Sequence, residues 1–186
     1  FDIVPNIITM AKGLASSYAP LSATVVTQEI FNVFLNDPSS PDSRLDYFRD
    51  ISTYGGCAAS MTAALESTRI IEDENLVQNA KTVGNYLLEQ LETLKRFMVV
   101  GDVRGQGLFA GIEFVNDPAT KEPISEEMMA QLMGNVMAEG VIVGRTNTSF
   151  DGLNNIMNFA PSLIITKEQV DTIVSAVSAA IEKTFS

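Results

Sequence analysis

Pro5-Asn6-Ile7-Ile8-Thr9-Met10-Ala11-Lys12-Gly13-Leu14-Ala15-Ser16-Ser17-Tyr18-Ala19-Pro20-Leu21-Ser22-Ala23-Thr24-Val25-Val26 alternates an apolar run, a polar turn and a second apolar run. Ile7–Met10 and Ala23–Val26 read as short buried strands. The loop between them is built of Gly, Ser and Pro and carries one amine, that of Lys12. An apolar segment that delivers a lone amine to such a loop presents it to an electrophile rather than to bulk water. That placement suggests a Schiff base between Lys12 and a carbonyl cofactor. The same local pattern also describes a solvated lysine guarding the end of a strand.

Working outward, Glu29–Leu35 reads as a short helix and Asn36–Asp46, rich in Pro, Ser and Asp, as a surface loop. Ser52–Gly56 is a polar turn with paired glycines, and Cys57–Ile71 is an Ala-rich run expected to form a buried helix. Asp73 is the candidate N-cap of the clearest helix, in which Leu76, Ala80, Val83, Leu87, Leu91 and Leu94 recur at steps of three and four. Gly107–Val115 reads as a strand. Arg104 is assigned a structural role, because Gly105 and Gly107 mark a tight turn entering that strand. Ser125 caps a predicted helix over Glu126–Glu139 that stops at Gly140. Val141–Val143 and Ile156–Ala160 are predicted strands. Thr166 and Gln169 match a capping box ahead of a last helix with Val170, Ile173, Val177 and Ile181 on one face. Strands alternate with helices, so the class is α/β or mixed α+β. A change in composition near residue 73 marks a domain boundary.

Composition narrows the function. The chain has 186 residues, 46% hydrophobic and 19% charged, enough for a sizeable core. A net charge of −11 without a basic cluster argues against nucleic acid and anionic membrane as partners. No apolar run approaches the roughly 18 residues of a membrane span. The single cysteine, Cys57, fits a reducing compartment, and a cytoplasmic location is expected. Histidine is absent, which removes His-assisted nucleophiles and His-based metal sites and favours a borrowed cofactor.

Four stretches in order resemble the class III pyridoxal-phosphate aminotransferases, the ω-transaminase group. PNIITMAKGLASSYAPLSATVV (5–26) resembles the segment around the cofactor-bound lysine, and STYGG (52–56) resembles the phosphate-binding turn. DVRGQGLFAGIEFV (102–115) resembles the strand that opens the C-terminal domain, and FAPSLIITKEQVD (159–171) the strand, proline and capped helix near the C-terminus. The resemblance covers essentially the whole chain and is strongest to enzymes that pair amines or ω-amino acids with pyruvate. It implies an α/β fold, the C-terminal part of the fold type I transferase fold. Residues 1–72 would then belong to a large, mainly parallel-sheet cofactor domain, and residues 73–186 to a small α+β domain.

The resemblance also implies roles. Lys12 matches the lysine that holds pyridoxal 5′-phosphate as an internal aldimine and later moves a proton. Partial burial beside the cationic cofactor would favour the neutral amine such a lysine needs in order to attack. Thr53 matches the threonine that binds the cofactor phosphate, across a dimer interface in this family. After Gly56, where relatives continue His-Pro, this chain has Cys57-Ala58, and Cys57 is expected to be a small buried residue rather than a nucleophile. Arg145 lies near the family's mobile arginine, which grips a carboxylate with paired hydrogen bonds, although Gly144 intervenes and Thr146–Asn155 is longer than in many relatives. The aspartate that pairs with the pyridine nitrogen would lie upstream of Phe1, since Asp2 is too close to Lys12 to serve. The chain thus looks like the C-terminal part of an enzyme, with the N-terminal remainder and a second subunit as partners and an amine and a keto acid as substrates. Inactivity of the isolated chain is expected. An aminomutase, a racemase or a non-catalytic module derived from this fold stays open.

Overall fold

A computed structural model describes residues 3–35, 39, 48, 52–146 and 154–186. Asp2, the Asn36–Asp46 loop apart from Ser39, and 147–153 of the Thr146–Asn155 stretch lie outside the described residues. The backbone divides into two compact units, Phe1–Glu74 and Asn75–Ser186.

In the first unit, β1 (Ile7–Met10) pairs antiparallel with β2 (Ala23–Val26), Ile7 opposite Val26 and Met10 opposite Ala23. The Thr27 N–H donates to the Asn6 carbonyl at 3.0 Å and extends the ribbon by one rung. These strands sit where the sequence predicts them, but they are not buried: Ile7 is 55% exposed and Val25 53%. A two-stranded ribbon cannot cover its own faces, so apolar composition alone does not bury it. After the short α1 (Gln28–Val33), the next regular element is α2 (Ala58–Asp73). Only Ser60, Ala64 and Ser67 of α2 are buried. The expectation of a buried helix is therefore corrected. Its small residues at steps of four and three form one narrow stripe, and the rest of its surface is open.

The second unit closes a core of its own. In α3 (Leu76–Glu92) and the 3₁₀ turn Thr93–Arg96, the predicted stripe is buried: Leu87, Leu91 and Leu94 have no exposed surface. Asp73 does not cap this helix; it ends α2, and Asn75 is the N-cap, with φ 52°. The chain stays helical through Asp73 and breaks at asparagine, a residue that tolerates left-handed backbone.

β3 (Val100–Gln106) and β4 (Phe109–Asp117) form a hairpin with Gln106 opposite Phe109. Gly107, at φ 57°, takes the first central turn position, where positive φ matches the twist of the strands. The residue pattern gives no strand before Gly107, where glycines and charged residues mask it, and the resemblance takes 102–115 as one strand; the chain instead reverses between Gln106 and Phe109 and makes two. Arg104 lies within β3, and its Nη1 donates to Asp102 Oδ2 and Glu113 Oε2, each at 2.8 Å. It ties the two strands together, the structural role expected of it. β5 (Glu122–Pro123) adds to β4, and α4 (Glu126–Ala138) follows, its Met128 N–H donating to the Ser125 hydroxyl at 3.2 Å.

The predicted strand Val141–Val143 is replaced by β6 (Gly144–Arg145), paired with β7 (Ile156–Phe159). Gly140 has φ 86°, and the Val141 N–H donates to the Val136 carbonyl at 3.4 Å. Closing the helix end thus uses the residues expected to start the strand. α5 (Lys167–Phe185) opens on the predicted capping box: the Thr166 N–H donates to Gln169 Oε1 at 3.0 Å, and the Gln169 N–H to Thr166 Oγ1 at 3.3 Å. The sheet runs β3-β4-β7-β6, and every strand pairing among the described residues is antiparallel. The parallel part of the expected large domain is thus not represented in them. Ile112, Phe114, Met129, Leu132, Met157 and Val177 fill the space between sheet and helices, all nearly or fully buried. Two asparagines fix the approach to this core. Asn155 is buried, its Nδ2 donating to the Phe114 carbonyl at 2.8 Å, and Asn79 Nδ2 donates to the Leu163 carbonyl at 2.7 Å.

Two glycines test this packing with opposite signs. A Cβ on Gly84 would run into the backbone of Gly107, whereas one on Gly134, in exposed α4 surface, would meet nothing within 4 Å. Gly84→Ala is expected to destabilise by about 1–3 kcal/mol through overpacking, although alanine is the better helix former. Gly134→Ala is expected to stabilise by up to about 1 kcal/mol. Urea unfolding followed by far-UV circular dichroism checks both signs.

Candidate active site

Lys12 opens a 3₁₀ turn, Lys12–Ala15, directly after β1. Its backbone is left-handed, φ 55°, as are Ser16 at 47° and Ser17 at 63°. Non-glycine residues rarely take this conformation, and each costs on the order of 1–3 kcal/mol unless its surroundings enforce it. Three contacts do so here. Ala15 is buried at 1% exposure, the Tyr18 N–H donates to the Ala15 carbonyl at 2.9 Å, and the Ser16 and Ser67 hydroxyls are hydrogen-bonded at 2.7 Å. The turn is thereby fastened to the small-residue stripe of α2. The Lys12 side chain is exposed and forms no ion pair or hydrogen bond among the described residues. The partial burial expected of it does not come from this part of the chain.

Thr53 lies in the Ser52–Gly56 turn, also exposed. The Gly55 N–H donates to the Ser52 carbonyl at 2.9 Å, and Gly56, at φ 74°, turns the chain into α2. A hydroxyl and a glycine-rich turn thus precede the N-terminus of a helix of 16 residues, whose unpaired N–H groups and dipole suit an anion. Lys12 and Thr53 meet α2 at different places. The Lys12 turn is fastened at Ser67, about 14 Å along the helix from Ala58 at 1.5 Å per residue. Thr53 stands ahead of its first residue.

Cys57 corrects the sequence reading, being exposed rather than buried. As N-cap of α2 it sits where the Ser60 backbone N–H, the Ser60 hydroxyl and the Ala59 N–H favour the thiolate, and its pKa is lowered.

Arg145, in the second unit, sits on β6 opposite Met157. A Cβ on Gly144 before it would meet the end of the Asn158 side chain, which would have to move. Arg145 Nη1 lies 3.2 Å from Glu126 Oε2, with side-chain exposures of 29% and 43%. The other carboxylate oxygen of Glu126 accepts the Asn154 N–H at 2.7 Å. The sequence reading missed Glu126 as Arg145's partner. An acidic residue after a serine cap reads only as a helix-dipole partner, and nothing local points it to a strand far along the chain. Among the described residues, no group of three or more acidic or cysteine side chains could hold a metal ion, and no helix is long and apolar enough to cross a membrane.

The model of the class-III aminotransferase family matches residues 1–181, and the chain belongs to that family. It is 48% identical over 181 residues to the taurine–pyruvate aminotransferase of Bilophila wadsworthia (strain 3_1_6), a match covering 97% of this chain and 39% of that protein. It is 44% identical over 186 residues to the hypotaurine/taurine–pyruvate aminotransferase of Paracoccus denitrificans (strain Pd 1222), covering all of this chain and 40% of that protein. Among solved structures, a Bacillus anthracis aminotransferase superposes with a TM-score of 0.88 at 42% identity, over 98% of this chain and 40% of its own. The chain therefore spans about two fifths of the length of these relatives. The family is one of pyridoxal-phosphate enzymes.

The Cys57 environment gives a direct test. Because its pKa is lowered, the pH midpoint for alkylation by iodoacetamide is expected below that of an unperturbed cysteine thiol measured alongside. Ser60→Ala removes one of the groups that favour the thiolate and should move that midpoint upward. A midpoint at or above that of a free thiol counts against this electrostatic assignment.

Proposed function

We propose that the protein carrying this chain is a pyridoxal-phosphate aminotransferase that moves an amino group between an amine or ω-amino acid and pyruvate or a similar keto acid. The observation that supports this most is the backbone at Lys12. A strained turn, fastened at Ser67 and buried at Ala15, holds out an exposed amine with no partner among the described residues. Strain kept in place by its surroundings points to use of the residue it displays.

The residues present fit the cofactor. Lys12 Nζ would attach it covalently, and the Thr53 hydroxyl with the Ser52–Gly56 N–H groups would hold its phosphate. When bound, pyridoxal phosphate supplies an electron sink that acidifies the carbon bearing the substrate nitrogen. Lys12 Nζ, released by the incoming amine, would take that proton and return it at the far end of the transfer. Arg145 would bind the substrate carboxylate through its planar guanidinium.

The roughly 14 Å between the Ser67 latch and the start of α2 favours a division of labour in which Thr53 serves the site of a second subunit and the enzyme is a homodimer. In this proposal residues 1–72 carry part of the large cofactor domain, residues 73–186 are the small domain, and the enzyme works in the cytoplasm. The uncovered faces of β1 and β2 would be covered by the N-terminal remainder of the enzyme, so residues 1–186 alone should bind cofactor poorly and show no turnover.

The test uses the cofactor-loaded enzyme that carries this chain, supplied with β-alanine or taurine and pyruvate. Alanine is expected as product, and borohydride reduction should fix the cofactor to the peptide containing Lys12. Lys12→Ala should lower alanine formation by about 10³-fold or more and abolish that label. Retained alanine formation in Lys12→Ala, or a label elsewhere, would overturn the assignment.

A further inference from the structure

We infer that Ser67, on α2, is a positioning residue for Lys12. Through the Ser16 hydroxyl it fixes where the Lys12 turn stands, and so governs the speed of proton transfer rather than the affinity for substrate. This rests on the proposed role of Lys12 and adds to it a residue far along the chain.

The turn closes on itself but does not anchor itself. The Ser16 N–H donates to the Gly13 carbonyl at 3.1 Å and the Tyr18 N–H to the Ala15 carbonyl at 2.9 Å, and both bonds lie within the turn. Lys12, Ser16 and Ser17 all have positive φ, so local preference does not hold this path. Two features tie it to the rest of the unit. Ala15 is buried, and the Ser16 and Ser67 hydroxyls are hydrogen-bonded at 2.7 Å. Burial of a methyl group is non-directional and lets a turn rock about it. A hydrogen bond between two hydroxyls fixes direction as well as distance.

α2 gives that bond a firm mount. Ser67 lies within its 16 residues and is only 9% exposed. Thr62 and Thr68 of the same helix donate their hydroxyls to the Ala58 and Ala64 carbonyls four residues behind, the usual outlet for a helical hydroxyl. Ser67 is bonded across to Ser16, 51 positions away. Without the Ser67 hydroxyl, water can reach exposed Ser16, so the fold survives while the turn gains room to move. Proton transfer depends steeply on placement: a displacement of about 1 Å can cost about 10²-fold in rate. The substrate carboxylate is proposed to sit on Arg145, so a looser Lys12 turn should leave KM nearly unchanged.

Ser67→Ala, Ser16→Ala and the double variant test this in the cofactor-loaded enzyme, with kcat expressed per bound cofactor. Each single change is expected to lower kcat for alanine formation from β-alanine and pyruvate by about tenfold or more, with KM within about twofold of wild type. The double variant should lose no more than about twofold beyond the weaker single variant, because both changes break one bond. With β-alanine deuterated at the carbon that bears nitrogen, the isotope effect on kcat should equal or exceed that of wild type. Hydrogen exchange gives a readout apart from turnover: the peptide containing Ser16 and Tyr18 should exchange about fivefold faster or more in Ser67→Ala, while α5 is unchanged.

A kcat per bound cofactor that stays at the wild-type value in both single variants would make the Ser16–Ser67 bond structural only and overturn the inference. Losses that multiply in the double variant, a smaller isotope effect, or unchanged exchange of the turn would overturn it as well. Lys12→Ala keeps the two ideas apart. If it abolishes alanine formation while the serine variants behave as wild type, Lys12 stands and Ser67 falls; if it retains alanine formation, both fall.

Discussion

The first unit is organised around one backbone constraint, the left-handed turn that begins at Lys12. With φ of 55° at Lys12, the chain leaves the line of β1 at the residue proposed to carry the cofactor. An extended backbone would have carried the amine onward along the ribbon, on whichever face the pleat assigned it. The turn cannot be justified by local preference, since Lys, Ser and Ser are poor choices for positive φ. It is held from outside, by a methyl group pressed into the fold at Ala15 and a hydroxyl pair between Ser16 and Ser67. The Ala-rich character of α2 follows from this. Close approach to a turn requires small residues on the contacting stripe, and Ser60, Ala64 and Ser67 supply them.

The two units solve the burial problem differently. The second covers its sheet with three helices, so that Leu87, Ile112, Leu132 and Val177 have no exposed surface. The first leaves Ile7, Val25 and Phe31 more than half exposed. At about 25 cal/mol per Å² of apolar surface, such uncovered strands add little to stability until something lies against them. A chain spanning about two fifths of its relatives' length can thus contain one self-sufficient core and one ribbon that depends on other residues for its cover.

Legibility in the sequence tracks how local the cause is. The α3 and α5 stripes, the Ser125 cap, the Thr166–Gln169 capping box and the bounds of β1 and β2 were all readable, because each rests on residues a few positions apart. The family could be read from four short motifs, and the match over residues 1–181 agrees with it. Features settled over a distance could not be read. β3 is a strand because β4 pairs with it, despite two glycines and three charges or amides in seven residues. Val141–Val143 has strand composition, but closure of the α4 end comes first. Cys57 was expected inside on the strength of its residue type, yet it stands at an N-cap, where the chain enters a helix and faces solvent. Neither Ser16–Ser67 nor Arg145–Glu126 leaves any trace in spacing.

The strength of the Arg145–Glu126 pair would suit the proposed role of Arg145, in which the guanidinium is released to a substrate carboxylate. A fully buried ion pair is costly to break, about 3–5 kcal/mol when one partner is left unpaired, and an arginine so held would be a structural element. A fully exposed pair is worth little, and the free guanidinium would sample many positions, at an entropic cost to each substrate that recruits it. Partial exposure lies between these limits. Water could solvate Glu126 if an anion took its place, so no uncompensated charge would be left behind. The second hydrogen bond to Asn154 keeps the carboxylate in place for the return. Such a pair would let a single site take a carboxylate in one half of the proposed reaction and an uncharged group in the other with the movement of few atoms.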